Sequence, residues 1–211
     1  MMARKRNLSK ISFGENKNLH TELFTERVVF YEDESCMEGS RFLTLRISFG
    51  GLLMKKQINM GKGSLEPLTK ETVAEIVQWE YEAPYDAYNF KGHHDEYLLD
   101  ESIWGVEQFC LTCDGIILGQ VACQFEGEKL WVGWSMAPML CGKGNGAAFV
   151  SRCVQEIRRV KGHTGRILLR VSARNKRAIK AYQRAGFRYV ETILDEIAFS
   201  DNMEDFWVME F

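Results

Sequence analysis

Three glycines at alternate positions, Gly142, Gly144 and Gly146, separate the apolar run "KLWVGWSM" from a second apolar run that starts at Ala147. The first run has the composition of a strand. In the second, Phe149/Val150, Cys153/Val154, Ile157 and Val160 recur at helical spacing. Glycine costs a helix about 1 kcal/mol against alanine. Three at one junction therefore require a turn that only glycine makes, or a close approach to bare backbone. A strand, a glycine-rich turn and a helix N-terminus together make an anion site, because free N–H groups and the positive end of the helix dipole converge there. A diphosphate is the natural occupant.

The rest of the chain surrounds that junction with alternating strand and helix signals. "INMGKGSLEPL" predicts a first strand and turn, and Thr69 ahead of Val73, Ile76 and Val77 predicts a capped helix. An aromatic, proline-containing loop follows, "YEAPYDAYNF", and then a short helix from Asp95 to Glu101. "WGVEQFCLT", "IILGQVACQF" and "KLWVGWSM" predict three strands, joined at Asp114-Gly115 and Glu126-Gly127-Glu128. Beyond the glycine helix, "GRILLRVSA" predicts a buried strand and "NKRAIKAYQRA" a helix ended by Gly186. "FRYVETIL" and "DFWVMEF" close the chain as strands. The order β-α-α-β-β-β-α-β-α-β-β describes one mixed α/β sheet.

Residues 1–53 read differently. "RKRNLSKISFGENKNLHTE" is polar and aperiodic, whereas Leu43, Leu45, Ile47 and Phe49 alternate with polar residues as in a strand. Met54-Lys55-Lys56 has the form of a natural amino terminus, and codons for Gly50-Gly51 can spell a ribosome-binding sequence just upstream. Two readings compete for 1–53, a genuine amphipathic hairpin or an N-terminal extension, disordered or outside the natural product; the expectation is the extension, with a single domain over 54–211.

Composition narrows the class of partner. The chain has 211 residues, 45% of them hydrophobic, and a net charge of -2, which argues for a soluble globular protein and against general nucleic-acid binding. No apolar run approaches the ~20 residues that cross a bilayer, and no apolar segment follows the basic start as in a signal peptide. A cytoplasmic location is the expectation, with six reduced cysteines. Cys110 and Cys113 form a CxxC, but neither a second CxxC nor a histidine pair lies nearby, so they read as structural. His93-His94 lacks a third ligand, and no metal site is expected.

Spacing then separates the glycine-loop chemistries. The nucleotide-hydrolase loop GxxxxGK[ST] fails because Gly144 follows Lys143. Gly142, Gly144 and Ala147 match GxGxxG/A, but the next strand ends Val171-Ser172-Ala173-Arg174, without the ribose-binding acid of a dinucleotide site. "WSMAPMLCGKGNGAAFV" instead resembles the acetyl-CoA pyrophosphate loop of the GCN5-related N-acetyltransferases (the GNAT family). Gly144 and Gly146 stand at its two glycine positions, Pro138 at its common proline, and Cys141 departs from its Gln/Arg. "VSARNKRAIKAYQRAGFRYVE" is similar to a second stretch of that family, N-x-x-A-x-x-x-Y-x-x-x-G-F, through Asn175, Ala178, Tyr182, Gly186 and Phe187. "WEYEAPYDAYNF" resembles a segment of bacterial members. Taken from the residues alone, Asn175 and Gly186 also fit as helix caps, and Tyr182 as core.

The resemblance covers roughly residues 64–211. It implies a mixed, mostly antiparallel sheet flanked by helices, with acetyl-CoA as co-substrate. The cofactor-binding residues it implies are Met136, Cys141, Gly142, Lys143, Gly144, Asn145, Gly146, Ala147, Asn175 and Ala178. It implies Tyr182 as proton donor to the leaving thiolate, and a backbone N–H near Met136, at a strand bulge, for the carbonyl oxygen. Glu107 is the candidate general base acting through water, and its direction on its strand is open. Tyr85, Tyr88 and Trp134 are the candidates for the acceptor pocket, drawn from a set that includes Trp79, Tyr81 and Phe90. From Arg152 to Arg188 there are twelve Lys/Arg and one acid, and from Glu80 to Glu107 eight Asp/Glu and one Lys. Basic residues behind the loop suit a phosphorylated cofactor, and the acidic run suits a cationic amine acceptor. The implied activity is acetyl transfer to the amine of a small molecule or peptide, by a monomer or homodimer. A non-catalytic acyl-CoA sensor is the competing reading.

Overall fold

The computed structural model describes residues 27–30, 35–37, 40–49, 52–90, 92, 95–197 and 202–211. His93-His94 and residues 1–26 lie outside them. In chain order the strands are β1 (Arg27–Phe30), β2 (Ser35–Met37), β3 (Ser40–Phe49), β4 (Leu52–Asn59), β5 (Ser64–Pro67), β6 (Glu107–Cys113), β7 (Ile116–Glu126), β8 (Lys129–Met136), β9 (Ile167–Ser172), β10 (Arg188–Glu196) and β11 (Met203–Glu210). The helices are α1 (Lys70–Ile76), α2 (Asp95–Leu99), α3 (Gly146–Lys161) and α4 (Lys176–Ala185). From β5 onward this is the element order that hydrophobic periodicity predicts.

A seven-stranded sheet runs in the order β10-β11-β9-β8-β7-β6-β5. Every neighbouring pair is antiparallel except β8 and β9, which are parallel. That one parallel pair needs a crossover, and α3 supplies it. The alternating segment Leu43–Phe49 falls in β3, which pairs with β1 and β2 and, along its length, with β4. β4 runs through Met54, opposite Ile47, and its end carries Ile58 and then Met60 into the core of the larger sheet.

Local signals account for the helix ends. Thr69 and Thr72 form a reciprocal capping box at α1. Asn175 Oδ1 accepts from the Ala178 N–H at 3.0 Å and caps α4. Gly186 ends α4 in the left-handed conformation at φ 111, as its place before Phe187 predicts. α3 buries Phe149, Val150, Cys153, Val154 and Ile157 as one stripe; full burial of a Phe or Ile stabilises the fold by ~1.5–3 kcal/mol. The same helix buries Glu156, whose carboxylate binds Arg152 and Arg159 and accepts the Leu65 N–H at 3.1 Å, tying α3 to β5. Cys110, Cys113, Cys123, Cys141 and Cys153 form no disulfide; Cys110 and Cys113 are both buried in the core.

Candidate active site

β8 and β9 pair only at Leu130↔Ile167 and Trp131↔Leu168. Beyond Trp131 the two strands diverge while β8 continues to Met136. A wedge-shaped opening therefore forms inside the sheet, and the alternation of an antiparallel ladder fixes what faces it. The Ala137 N–H donates to the Leu118 carbonyl at 2.9 Å, so the preceding pair, Gly119↔Met136, is a non-hydrogen-bonded one. Met136 then points its N–H and carbonyl away from β7, into the wedge. The Tyr81 hydroxyl meets that carbonyl from the wedge side, donating at 3.0 Å. The β7–β8 register is unbroken through Met136, which corrects the expected bulge: divergence of a neighbouring strand frees this N–H, without an extra residue.

At the end of β8 a turn over Pro138–Leu140 leads into the glycine loop. Gly142 and Gly144 adopt φ 73 and 77, a region that costs other residues ~1–2 kcal/mol. A Cβ on Gly142 would meet nothing within 4 Å. Asn145 is buried and turns its amide Nδ2 back to the Leu140 carbonyl at 3.2 Å, closing the loop. Its side chain makes no cap bond, so the first-turn amides of Gly146, Ala147 and Ala148 keep the open N–H groups that every helix start has. Gly146 has a different task. A Cβ there would lie 2.8 Å from Ala181 Cβ, so this glycine lets α3 and α4 touch.

The expected cofactor residues thus divide by role. Met136 turns its N–H away from β7, Gly142 and Gly144 take left-handed torsions, and Ala147 lies in the first turn of α3. Asn145, Gly146, Asn175 and Ala178 shape the site by loop closure, helix contact, capping and packing. Lys143 is half-buried beside the loop. Cys141 folds back, its Sγ 3.6 Å from the Met136 carbonyl and 3.7 Å from that of Ala137. Burial raises its thiol pKa, against the pull of Arg177 and Lys143; a protonated, hydrogen-bonded thiol is no nucleophile.

Tyr182 on α4 closes the other wall. Its ring lies 6.0 Å from those of Trp134 and Phe187. Burial pushes its hydroxyl up to about 12, tempered by the Trp134 indole beside it. That indole nitrogen is buried without completing a hydrogen bond among the described residues. The hydroxyl is protonated across the neutral range.

Glu107 stands elsewhere. It opens β6 and pairs with Lys161, the last residue of α3. A sixteen-residue helix is ~24 Å long, and the glycine loop is at its other end. Sequence cannot tell a strand residue's up from its down, and here Glu107 points to the remote end of α3. Half of the basic run is engaged: Arg152 and Arg159 with Glu156, Lys161 with Glu107, Arg166 with Glu210, Arg170 with Asp195 and Arg174 with Glu204. Of the candidate aromatics, Trp79 and Phe90 belong to the core. Tyr81 reaches the Met136 carbonyl and Trp134 stands on β8 itself; Tyr88 is 42% exposed, and Tyr85 carries Arg177 on its ring face. Sequence reading passed over Arg177, although it stands only two residues after Asn175.

The model of the acetyltransferase (GNAT) family matches residues 71–187, more than half of the chain. The chain belongs to this family. No curated protein matches it at the level of sequence. Solved GNAT-like structures do. Spermidine N-acetyltransferase from Vibrio cholerae, in complex with CoA and spermine, has a TM-score of 0.56 at 16% identity, over 71% of this chain and 95% of that one. The aminoglycoside acetyltransferase AAC(6')-Ib with coenzyme A gives 0.56 at 16%, over 71% and 94%. A GNAT-family acetyltransferase from Bacillus anthracis gives 0.55 at 13%, over 70% and 92%. At such identities the likeness is one of fold. Within this GNAT domain the left-handed glycines, open first-turn amides and wedge-facing Met136 N–H fit a ligand with a diphosphate at one end and a carbonyl at the other.

Proposed function

We propose that the chain transfers an acetyl group from acetyl-CoA to a primary amine of a small molecule or peptide, by direct attack within a ternary complex. The observation that supports this reading is a Met136 N–H turned away from β7, two residues along the strand from the Trp134 whose ring packs against a protonated Tyr182. Acetyl-CoA supplies a thioester already activated toward nucleophiles. Amides of the first turn of α3 hold its diphosphate, and Gly142 and Gly144 keep side chains out of the way. The Met136 N–H donates to the thioester oxygen as negative charge gathers there, an oxyanion contact worth ~3–4 kcal/mol of barrier in comparable sites. The amine nitrogen forms the new C–N bond, the C–S bond breaks, and the sulfur leaves as a thiolate.

Tyr182 donates a hydrogen bond to that sulfur. With its pKa at about 12 and a thiol near 8.5, complete transfer runs uphill by ~3.5 units, or ~5 kcal/mol. The attacking nitrogen, cationic once bonded to carbon, resupplies the proton, so Tyr182 relays rather than loses it. No carboxylate base is assigned. Acceptor amines of the structural neighbours, spermine and kanamycin, support a small-molecule amine as the acceptor class.

The test is free-thiol release from acetyl-CoA across polyamines, aminoglycosides, amino acids and peptide amino termini, for the native chain and Tyr182→Phe. Turnover that falls ~10²-fold or more in the variant, with unchanged protection by coenzyme A against thermal unfolding, is the expected result. Coenzyme A binding with no turnover on any amine would replace the enzyme by a sensor.

A further inference from the structure

The acidic run suggests a cationic acceptor, yet the charge that reaches the wedge has the opposite sign. Arg177, the second residue of α4, places its guanidinium carbon 3.7 Å from the centroid of the Tyr85 ring. Tyr85 sits in the aromatic loop, whose base is shut where Asn89 Oδ1 accepts the Tyr81 N–H at 2.6 Å. Tyr81 in turn reaches the Met136 carbonyl. Arg177 is therefore held over the loop that is tied through Tyr81 to the Met136 carbonyl, on the helix that carries Tyr182. Its charge acts on both Tyr81 and Cys141, opposing the rise that burial imposes on each. Two acids of the run are engaged elsewhere, Glu107 with Lys161 and Asp100 with the backbone and hydroxyl of Ser102.

Arg177 is one of several cations of α4 without a carboxylate partner among the described residues, and its guanidinium is stacked on a ring of the aromatic loop. Arg170 and Arg174 each meet a carboxylate; among the described residues none pairs with Arg177. A guanidinium that stacks uses its face and leaves its edge, with the N–H fork that matches a carboxylate in bidentate geometry. Stacking also fixes the fork before any ligand arrives, which lowers the entropy lost on binding. A polyamine entering beside it meets a like charge. An amine that carries a carboxylate meets a partner.

Resting on the transferase reading, we propose that Arg177 reads a carboxylate on the acceptor, and that the natural acceptor is a carboxylate-bearing amine such as an amino acid. The experiment uses the full chain and matched amines with the carboxylate present, amidated or removed: phenylalanine, phenylalaninamide and phenethylamine, then lysine and cadaverine. Thiol release should favour the free carboxylates in kcat/KM by about tenfold or more, the scale of a charge-assisted bidentate pair. Arg177→Met should level the series through the acceptor KM and leave the KM for acetyl-CoA within about twofold, with Arg177→Lys in between. Equal rates along each series in the native chain overturn the proposal, as does turnover confined to polyamines and aminoglycosides. A raised KM for acetyl-CoA in Arg177→Met also overturns it, by making the side chain a phosphate contact. No thiol release from any amine, with coenzyme A still bound, sinks the transferase reading itself and this proposal with it.

Discussion

Gly146→Ala separates the two reasons a glycine can stand at a helix start. If Gly146 served only a ligand, alanine would cost the folded chain nothing and helix propensity would favour it by up to ~1 kcal/mol. The structure puts the new methyl 2.8 Å from Ala181 Cβ, whereas carbon atoms rest at ~3.5–4.0 Å. α3 and α4 must part by ~1 Å. Overpacking of that size costs ~1–3 kcal/mol, so net destabilisation is ~1–2 kcal/mol after the propensity gain. With a urea m-value of ~1–3 kcal/mol/M, the midpoint should fall by ~0.3–2 M. Ala181→Gly makes room but costs ~1 kcal/mol in mid-helix; the double variant should be more stable than the sum of the singles by ~1–2 kcal/mol. Because Tyr182 follows Ala181, the same displacement moves the hydroxyl, and misplacement of ~1 Å lowers turnover by as much as ~10²-fold. Urea denaturation and thiol release on the four proteins of the cycle measure both effects. A Gly146→Ala protein as stable as the native one, or additivity in the cycle, would refute the argument that α3–α4 contact sets this residue.

Three further outcomes follow from the geometry. Glu107→Gln should leave kcat/KM within about twofold and cost under ~1 kcal/mol, because its partly exposed pair with Lys161 is of the weak kind; a fall beyond tenfold would return Glu107 to the chemistry. Tyr81→Phe removes the bond to the Met136 carbonyl, worth ~1 kcal/mol, and should raise the acceptor KM without altering that for acetyl-CoA, as read by steady-state kinetics with each substrate varied. Tyr182 rises from 10.0 to about 12 on burial, so its contribution to stability is complete below pH 10 and is lost as pH climbs through 12, up to ~3 kcal/mol in all. Urea denaturation at stepped alkaline pH should show a shallower decline for Tyr182→Phe, and an unchanged slope would place the hydroxyl in water.

How much of this was legible in the sequence depended on how local the cause is. A helix cap acts within one turn, so Asn175 and Gly186 could be read from their spacing to Ala178 and Phe187, and both stand where the spacing puts them. Strand and helix periods are local too, and the element order from β5 onward matches. Direction on a strand is not local. Glu107 alternates correctly, but which face holds the reacting groups is set by α3, whose far end takes its carboxylate. The glycine triplet looked like one motif and is two: Gly142 and Gly144 answer to backbone torsion, Gly146 to a helix that the chain reaches only later. Arg177 and Tyr85 meet across most of the domain, and no window of sequence contains both.

The wedge itself is the least local feature of all. Its N–H was expected at Met136 for the wrong reason, an inserted residue, when the register has none. What opens it is a disagreement between partners. β8 pairs with β7 along its whole length, but with β9 for two residues only, and on the stretch of β8 beyond that pairing the Trp134 ring packs with those of Tyr182 and Phe187, each 6.0 Å from the others. Rings of that size bury ~150–250 Å² apiece, more than a few ladder hydrogen bonds, net ~1 kcal/mol each, return by closing the strands. The same cluster fixes Tyr182 beside β8, so packing and the proposed chemistry depend on one set of side chains. Shrinking Trp134 should therefore weaken fold and turnover together, whereas removing the Tyr182 hydroxyl should weaken turnover alone.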